Sequence, residues 1–184
     1  MREVLTHAPR SEDLLDPNVA ERLKPAVNAA LTGAGLQAAN RVLSDLCFAC
    51  NASLLRRHYH GDCRRLVDEG VPPAEGLRLP THCFPDGIVY GIVADGKVVS
   101  VAFAHRPGVM EDRVADLGVT TAPAYQRHGY AKIVVSAVVE HVTRVGGEAR
   151  YGCRPDNAAS VGTARSVGFV PYGTSLVLSA PAPD

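Results

Sequence analysis

The sequence predicts a mixed α+β domain, and three observations predict it. Two β-branched runs, 88–94 and 97–103, flank Asp95-Gly96, a favoured two-residue hairpin turn. A strand-like run, 114–119, leads through Gln126-Arg127-His128-Gly129-Tyr130-Ala131 into a segment with apolar residues at 133, 134, 137, 138, 142 and 145, the spacing of a helix face. The first eighty residues carry Ala/Leu-rich stretches with the same helical spacing.

In chain order, 14–31 and 36–55 read as helices, with Thr32-Gly33-Ala34-Gly35 as the break between them. A third short helix reads from Asp62 to Glu69 and stops at Gly70. The stretch from Val71 to Pro80 is a connector, because consecutive prolines remove donors and fix φ. The hairpin follows, then a loop through Pro107 and Gly108 to the 114–119 strand and a short turn through Thr120, Thr121, Ala122 and Pro123. The segment after Ala131 is contested: Ile133-Val134-Val135 and Val138-Val139 are β-branched and favour strand. Helix is the reading that agrees with the apolar face, the Glu140/Arg144 i,i+4 pair and the Gly146-Gly147 stop. Residues 149–153 read as a strand, 157–167 as a short helix and 175–178 as a last strand. There is no internal repeat, and no low-complexity tract beyond the Pro/Ala-rich tail.

At 184 residues the expectation is one domain with its own core. Apolar residues make up 46% and charged residues 21%, an ordinary globular balance rather than a disordered one. Nineteen basic residues offset nineteen acidic ones, so nothing argues for nucleic acid or an anionic membrane as the main partner. No apolar run is long enough to cross a bilayer, and Met1-Arg2-Glu3-Val4-Leu5-Thr6-His7 lacks the apolar core of a signal peptide. The expected location is cytoplasmic, with Cys47, Cys50, Cys63, Cys83 and Cys153 reduced.

The 126–131 stretch carries the most chemistry. A strand that enters a helix through a tight Gly-containing loop leaves the first helical N–H groups without partners. Together with the positive end of the helix dipole, those donors suit a phosphate. A plain strand-to-helix turn would use the same residues.

Three blocks, in order along the chain, bear on the choice: Leu117-Gly118-Val119 with Thr121 and Pro123; Tyr125-Gln126-Arg127-His128-Gly129-Tyr130-Ala131; and Asn157-Ala158-Ala159-Ser160 with Gly168-Phe169. Together they resemble the GCN5-related N-acetyltransferases (GNAT), over roughly residues 87 to 178; the N-terminal half resembles nothing we can name. The resemblance implies a central, mostly antiparallel twisted sheet flanked by helices. It also implies a single domain, with a helical substrate-side region over 1–80 and an acetyl-CoA-binding core over 87–178.

What the family does can be carried over residue by residue. The cosubstrate is acetyl-CoA, whose pyrophosphate rests on backbone N–H groups of the Gly loop, here Arg127, His128, Gly129, Tyr130 and Ala131, with Gln126 at the loop's start. Gly129 lets the phosphates approach the backbone closely. The strand ending at Leu117, Gly118 and Val119 resembles the one that pairs with the pantetheine arm of CoA. A glycine within a strand marks a bulge or a close approach, or is a packing choice. Asn157 reads as a helix N-cap, and its family counterpart also contacts the cofactor arm.

The reaction implied is attack of a neutral amine on a thioester. It needs aligned reactants, a base for the amine proton and stabilisation of the developing oxyanion. Asp116, on the strand beside the cofactor, is the first candidate base, with Glu111 and Asp112 next; each also reads as a solvated charge. Many relatives place a Tyr seven residues after the Asn to protonate the leaving thiolate, and this chain has Ala164 there. Tyr172, from the following loop, or a water can reach the same region. A thiolate leaves tolerably near neutral pH, so a missing acid slows the reaction without forbidding it.

In the N-terminal half, Cys47 and Cys50 precede His58, Tyr59, His60 and Cys63, with His82 and Cys83 further on. Cys-x-x-Cys with nearby His is a zinc-like spacing. Two cysteines three apart in an apolar helix more often pack as small hydrophobes, and no compact second pair follows, so no metal is expected. His58, Tyr59 and His60 then read as a substrate-side or surface cluster.

Two functions stay in play. One is an acetyltransferase acting on the amine of a small molecule or peptide. The other is a CoA-binding module of the same fold with weak catalysis, acting as a sensor or assembly partner. The acceptor and the oligomeric state, a homodimer included, stay open.

Overall fold

The computed structural model describes residues 17–35, 41–66, 70–80, 87–105 and 113–179. They form helix α1 (Pro17–Gly33), strands β1 (Arg41–Cys50), β2 (Cys63–Arg65), β3 (Ile88–Ala94), β4 (Lys97–His105) and β5 (Val114–Thr121), helix α2 (Tyr130–Arg144), strand β6 (Glu148–Cys153), helix α3 (Ala158–Val167) and strand β7 (Val170–Ser179). The strands make an open, mixed seven-stranded sheet in the order β2-β3-β4-β5-β6-β1-β7. The pairs β2–β3, β3–β4 and β4–β5 are antiparallel, and β5–β6 is parallel. No helix among the described residues is long and apolar enough to cross a membrane.

Two expected helices are strands. Within 36–55 the observed element is β1 at Arg41–Cys50, in which Phe48 and Cys50 are buried and Ala49 between them is not; 36–40 lie outside the described residues. That alternation is the period of a strand, and sheet pairing rather than Ala/Leu propensity decides it. The pleat also turns Cys47 and Cys50 to opposite faces, since an odd spacing reverses the side chain. Over 62–66 the chain forms β2, its register set by Cys63 against Ile92 and Arg65 against Tyr90. The expected helix end at 67–69 lies outside the described residues.

Two compact units divide the chain. The larger comprises Phe48–Tyr151 and Gly162–Val170; the smaller comprises Met1–Cys47, Gly152–Val161 and Pro171–Asp184.

In the larger unit, the Asp95-Gly96 turn closes the predicted hairpin with Ala94 opposite Lys97. A bulge between Ile92 and Val93 lies just before the turn. Helix α2 crosses from β5 to β6 and packs on β3, β4 and β5. Its Val134, Val135, Val138, Val139 and Val142 are buried. Burial of each contributes roughly 1.5 kcal/mol or more, whereas the helical disadvantage of a β-branched residue is at most about 0.7 kcal/mol. Packing therefore overrides propensity, and the residues lie on one face only if the segment is helical. Ser136, buried among these valines, donates to the Ile133 and His58 carbonyls and accepts from the His58 N–H at 3.1 Å.

In the smaller unit, α1 ends at Gly33 as the glycine-rich break predicts. Arg154 forks onto Asp156, and Asn157 opens α3. Burial raises the pKa of Asp45, with the Arg154 guanidinium opposing it, and raises that of Cys153, helped by Asp45 and Cys47.

Candidate functional site

Strand β5 has two halves that differ in their neighbours. Among the described residues Asp116 and Leu117 are paired on both sides, to β4 and to β6, and the parallel ladder to β6 goes from Val114–Glu148 to Leu117–Tyr151. Beyond Leu117 the β6 ladder ends, while pairing to β4 continues to Thr121. Among the described residues, the backbone of 118–121 therefore has a ladder partner on one side only. Leu117, Gly118 and Val119, the three residues expected to meet a cofactor arm, straddle the point where the second ladder stops.

Gly118 sits directly opposite Phe103 with no register shift, so the glycine is not at a bulge. It is a close approach of another kind: a Cβ there would collide with Cζ, Cε1 and Cε2 of the Phe103 ring. The ring lies over the glycine and takes the space its side chain would need.

Ser100 and Thr121 share a 2.8 Å hydrogen bond across the β4–β5 pair. The chain then makes a short 3-10 turn at Pro123–Tyr125 and enters the 126–131 loop. Arg127 is left-handed at φ 64°, unusual for a residue with a Cβ, and Gly129 at φ 81° is the N-cap of α2 with no side-chain cap. Among the described residues, the backbone N–H groups of Arg127, His128, Gly129, Tyr130 and Ala131 donate to no acceptor. Five consecutive donors thus gather at the positive end of a fifteen-residue helix.

The surrounding side chains are basic or aromatic. Lys132 brings Cε to 3.5 Å and Nζ to 4.0 Å from where a Gly129 Cβ would stand. His128 Nδ1–H donates to the Gln126 carbonyl at 2.9 Å, and its ring stacks on Tyr130 with centroids 5.7 Å apart. His60 meets the same tyrosine ring edge-on at 5.6 Å and lies 3.3 Å from Asp62.

His60 reaches Tyr130 because the segment before it is pinned. Leu54 turns its carbonyl into the space a Gly168 Cβ would fill, and the Arg56 N–H donates to Val167 O at 2.7 Å. His58 is held to α2 by Ser136 and to the end of α3 by Nε2–H donating to Ser166 O at 3.1 Å. Of the expected histidine cluster, His58 thus has a structural role and His60 borders the loop. Tyr59 is 75% exposed.

The candidate catalytic residues fare differently from the loop. Asp116 pairs in register with Arg150 on β6, whose Nε and Nη2 both donate to its carboxylate, the latter at 2.6 Å. Each oxygen accepts one bond from the guanidinium, and the carboxylate keeps further acceptor sites beside it. Glu111 and Asp112 lie outside the described residues. Tyr172 is on β7, 57% exposed, in the smaller unit. Ala164 is fully buried.

Asn157 caps α3 as expected, its Oδ1 accepting from the Ser160 N–H at 3.1 Å. Burial pushes the thiols of Cys50 and Cys63 up to about 11, which disfavours the thiolate that a metal or a nucleophilic reaction needs. No group of three or more His, Cys, Asp or Glu among the described residues could hold a metal ion. His82 and Cys83 lie outside those residues.

Sequence reasoning missed Lys132 and Phe103. A lysine two residues into a helix that starts at a phosphate-type loop is a readable signal. The partner of Gly118 is not readable, because it depends on the β4–β5 register.

The profile of the acetyltransferase (GNAT) family matches residues 56–169. Among solved structures, the chain resembles a GNAT-family protein from Novosphingobium aromaticivorans at 19% identity and TM-score 0.63, over 78% of this chain and 67% of that one. A GNAT-family acetyltransferase from Colwellia psychrerythraea is similar at 15% identity and TM-score 0.62, over 78% and 58%. A GCN5-related N-acetyltransferase from Kribbella flavida is similar at 18% identity and TM-score 0.54, over 76% and 59%. At these identities the likeness is one of fold, and the chain spans less than two thirds of the length of the latter two. No curated protein matches the chain.

Proposed function

The chain belongs to the acetyltransferase (GNAT) family, and from that premise we propose that it moves an acetyl group from acetyl-CoA to a primary amine of a small molecule or peptide. The observation that carries this reading is the run of five N–H groups at 127–131 with no acceptor among the described residues. Every helix leaves its first N–H groups open; here the left-handed Arg127 precedes them and the open run reaches back to 127, and a pyrophosphate can accept from such a run. The basic Lys132 beside Gly129 has the sign required.

Acetyl-CoA supplies an acetyl group activated as a thioester. The protein's own part, on this reading, is to hold and align. The loop takes the phosphates, with Gly129 leaving room over the backbone and Lys132 neutralising charge. The one-sided strand at 118–121 offers amide groups to the amide-bearing arm, fixing the thioester end toward Leu117. Fixing both reactants converts a bimolecular encounter into a positioned one, which can supply about 7–11 kcal/mol of the barrier. Asp116 acts as a positioning residue, holding Arg150 across the end of the ladder.

A second reading rests on one observation. Ala164 is fully buried and carries no acidic hydrogen, which favours a CoA-binding module with weak turnover. Calorimetric titration with acetyl-CoA, followed by free-thiol release across a panel of primary amines, separates the two. Binding with amine-dependent thiol release is the expected result. Binding without release on any amine favours the module, and no binding at millimolar acetyl-CoA overturns both.

A further inference from the structure

We propose that Phe103 sets the length of the acyl chain the site accepts, keeping it short. This rests on the reading above and adds a specificity determinant to it. The open part of β5 has a defined end. The phosphate loop follows Thr121, so an arm laid along the one-sided strand runs from 121 toward 118 and meets the closed ladder at Leu117–Tyr151. Three residues of strand span about 10 Å, and the end of that path is Gly118, where the two ladders diverge.

At that end the wall has no side chain of its own. Gly118 leaves a gap one side chain deep, and the Phe103 ring fills it: a Cβ on Gly118 would sit inside contact distance of three ring carbons, the Cε pair at 2.8 Å. The glycine and the phenylalanine are opposite each other in an unbroken antiparallel register, so the sheet sets the Phe103 backbone against Gly118. Leu117, beside Gly118 on the strand, is buried, and Ala102 and Ala104, flanking Phe103, are small and buried. On the face that Gly118 shares with Asp116 and Arg150, the Phe103 ring is the apolar group over the vertex, and shortening it creates space where an acyl chain ends. A methylene that fits or clashes in an apolar pocket changes selectivity by about tenfold or more, so a ring-sized change is readable.

The test is equilibrium binding of CoA, acetyl-CoA, butanoyl-CoA and hexanoyl-CoA to the full chain, its Phe103→Ala variant and its Phe103→Leu variant, with thermal melts alongside. The expected result is that the wild-type protein binds hexanoyl-CoA at least about tenfold more weakly than acetyl-CoA. Phe103→Ala removes most of that gap, and unacylated CoA binds all three proteins alike. Phe103→Leu keeps an apolar side chain at the position and gives an intermediate ratio, so the proposal stays testable if the alanine variant melts early. Equal hexanoyl-to-acetyl ratios in wild type and variants overturn the proposal while leaving the acetyl-CoA reading standing. Failure of unacylated CoA to bind the wild-type protein sinks that reading, and this proposal with it.

Discussion

Helices α2 and α3 begin in opposite ways. At α3 the protein satisfies its own backbone: Asn157 Oδ1 accepts from Ser160 N–H, and the Asn157 carbonyl accepts from Val161 N–H. The far end is closed as well, with Leu54 and Arg56 packed against Val167 and Gly168. At α2 the cap is a glycine with no side chain to offer, preceded by a left-handed arginine. The left-handed backbone of Arg127 costs about 1–2 kcal/mol, and the missing cap adds a few tenths more. One helix start is optimised for stability. The other keeps five donors open among the described residues, at a local cost.

The largest effect that can break this contrast is expected at Gly129. Gly129→Asp sets a carboxylate against the phosphates, and acetyl-CoA affinity should fall about a hundredfold or more, roughly 2.7 kcal/mol. Unchanged affinity in a variant with native circular dichroism would falsify the assignment of the open donors. Gly168 is the matched control, also left-handed at φ 103° but with its Cβ space taken by the Leu54 carbonyl. Gly168→Ala should cost about 2–3 kcal/mol in chemical denaturation and leave acetyl-CoA affinity of the folded fraction nearly unchanged.

A smaller effect is expected at Asn157. Asn157→Ala should lower stability by about 1 kcal/mol and weaken acetyl-CoA binding by no more than about threefold, roughly 0.7 kcal/mol. A much larger loss of affinity would give Asn157 a second role as a cofactor contact and blur the contrast between the helices.

The smallest effect lies at the closed end of α2. Burial, with Arg65 and Arg144 nearby, lowers the His141 pKa, and Tyr90 O–H reaches its Nδ1 at 3.1 Å. The unfolded chain takes up a proton near pH 6.5 that the folded chain resists, so stability falls as pH drops through and below that value. Thermal melts should decline from about pH 7 to about pH 5.5 and decline less steeply in His141→Gln. Parallel slopes in the two proteins would remove His141 as the cause.

The regions that read correctly from the sequence are those where one signal dominates. Asp95-Gly96 between β-branched runs can hardly be anything but a hairpin, and a glycine loop between a strand and an apolar-faced segment announces α2. Residues 36–55 misled because Ala, Leu and Cys satisfy both periods, and only pairing within the sheet reveals that Phe48 and Cys50 point the same way. The open donors at 127–131 were legible because backbone chemistry follows from the loop alone. The engagement of Asp116 was not, since Arg150 lies thirty-four positions away and meets it only through the parallel register of β5 and β6. The same holds for Phe103 over Gly118, where knowing both residues says nothing until the register joins them.

The pinned segment at 54–60 also has a temporal side. His58 is tied to Ser136, seventy-eight residues later, and to Ser166, one hundred and eight residues later. Ribosomes add about 5–20 residues per second, so the segment waits roughly 5 to 20 seconds for its last partner to be synthesised. His60 is carried onto Tyr130 by the same segment, so the border of the 126–131 loop is set only after α3 has been made.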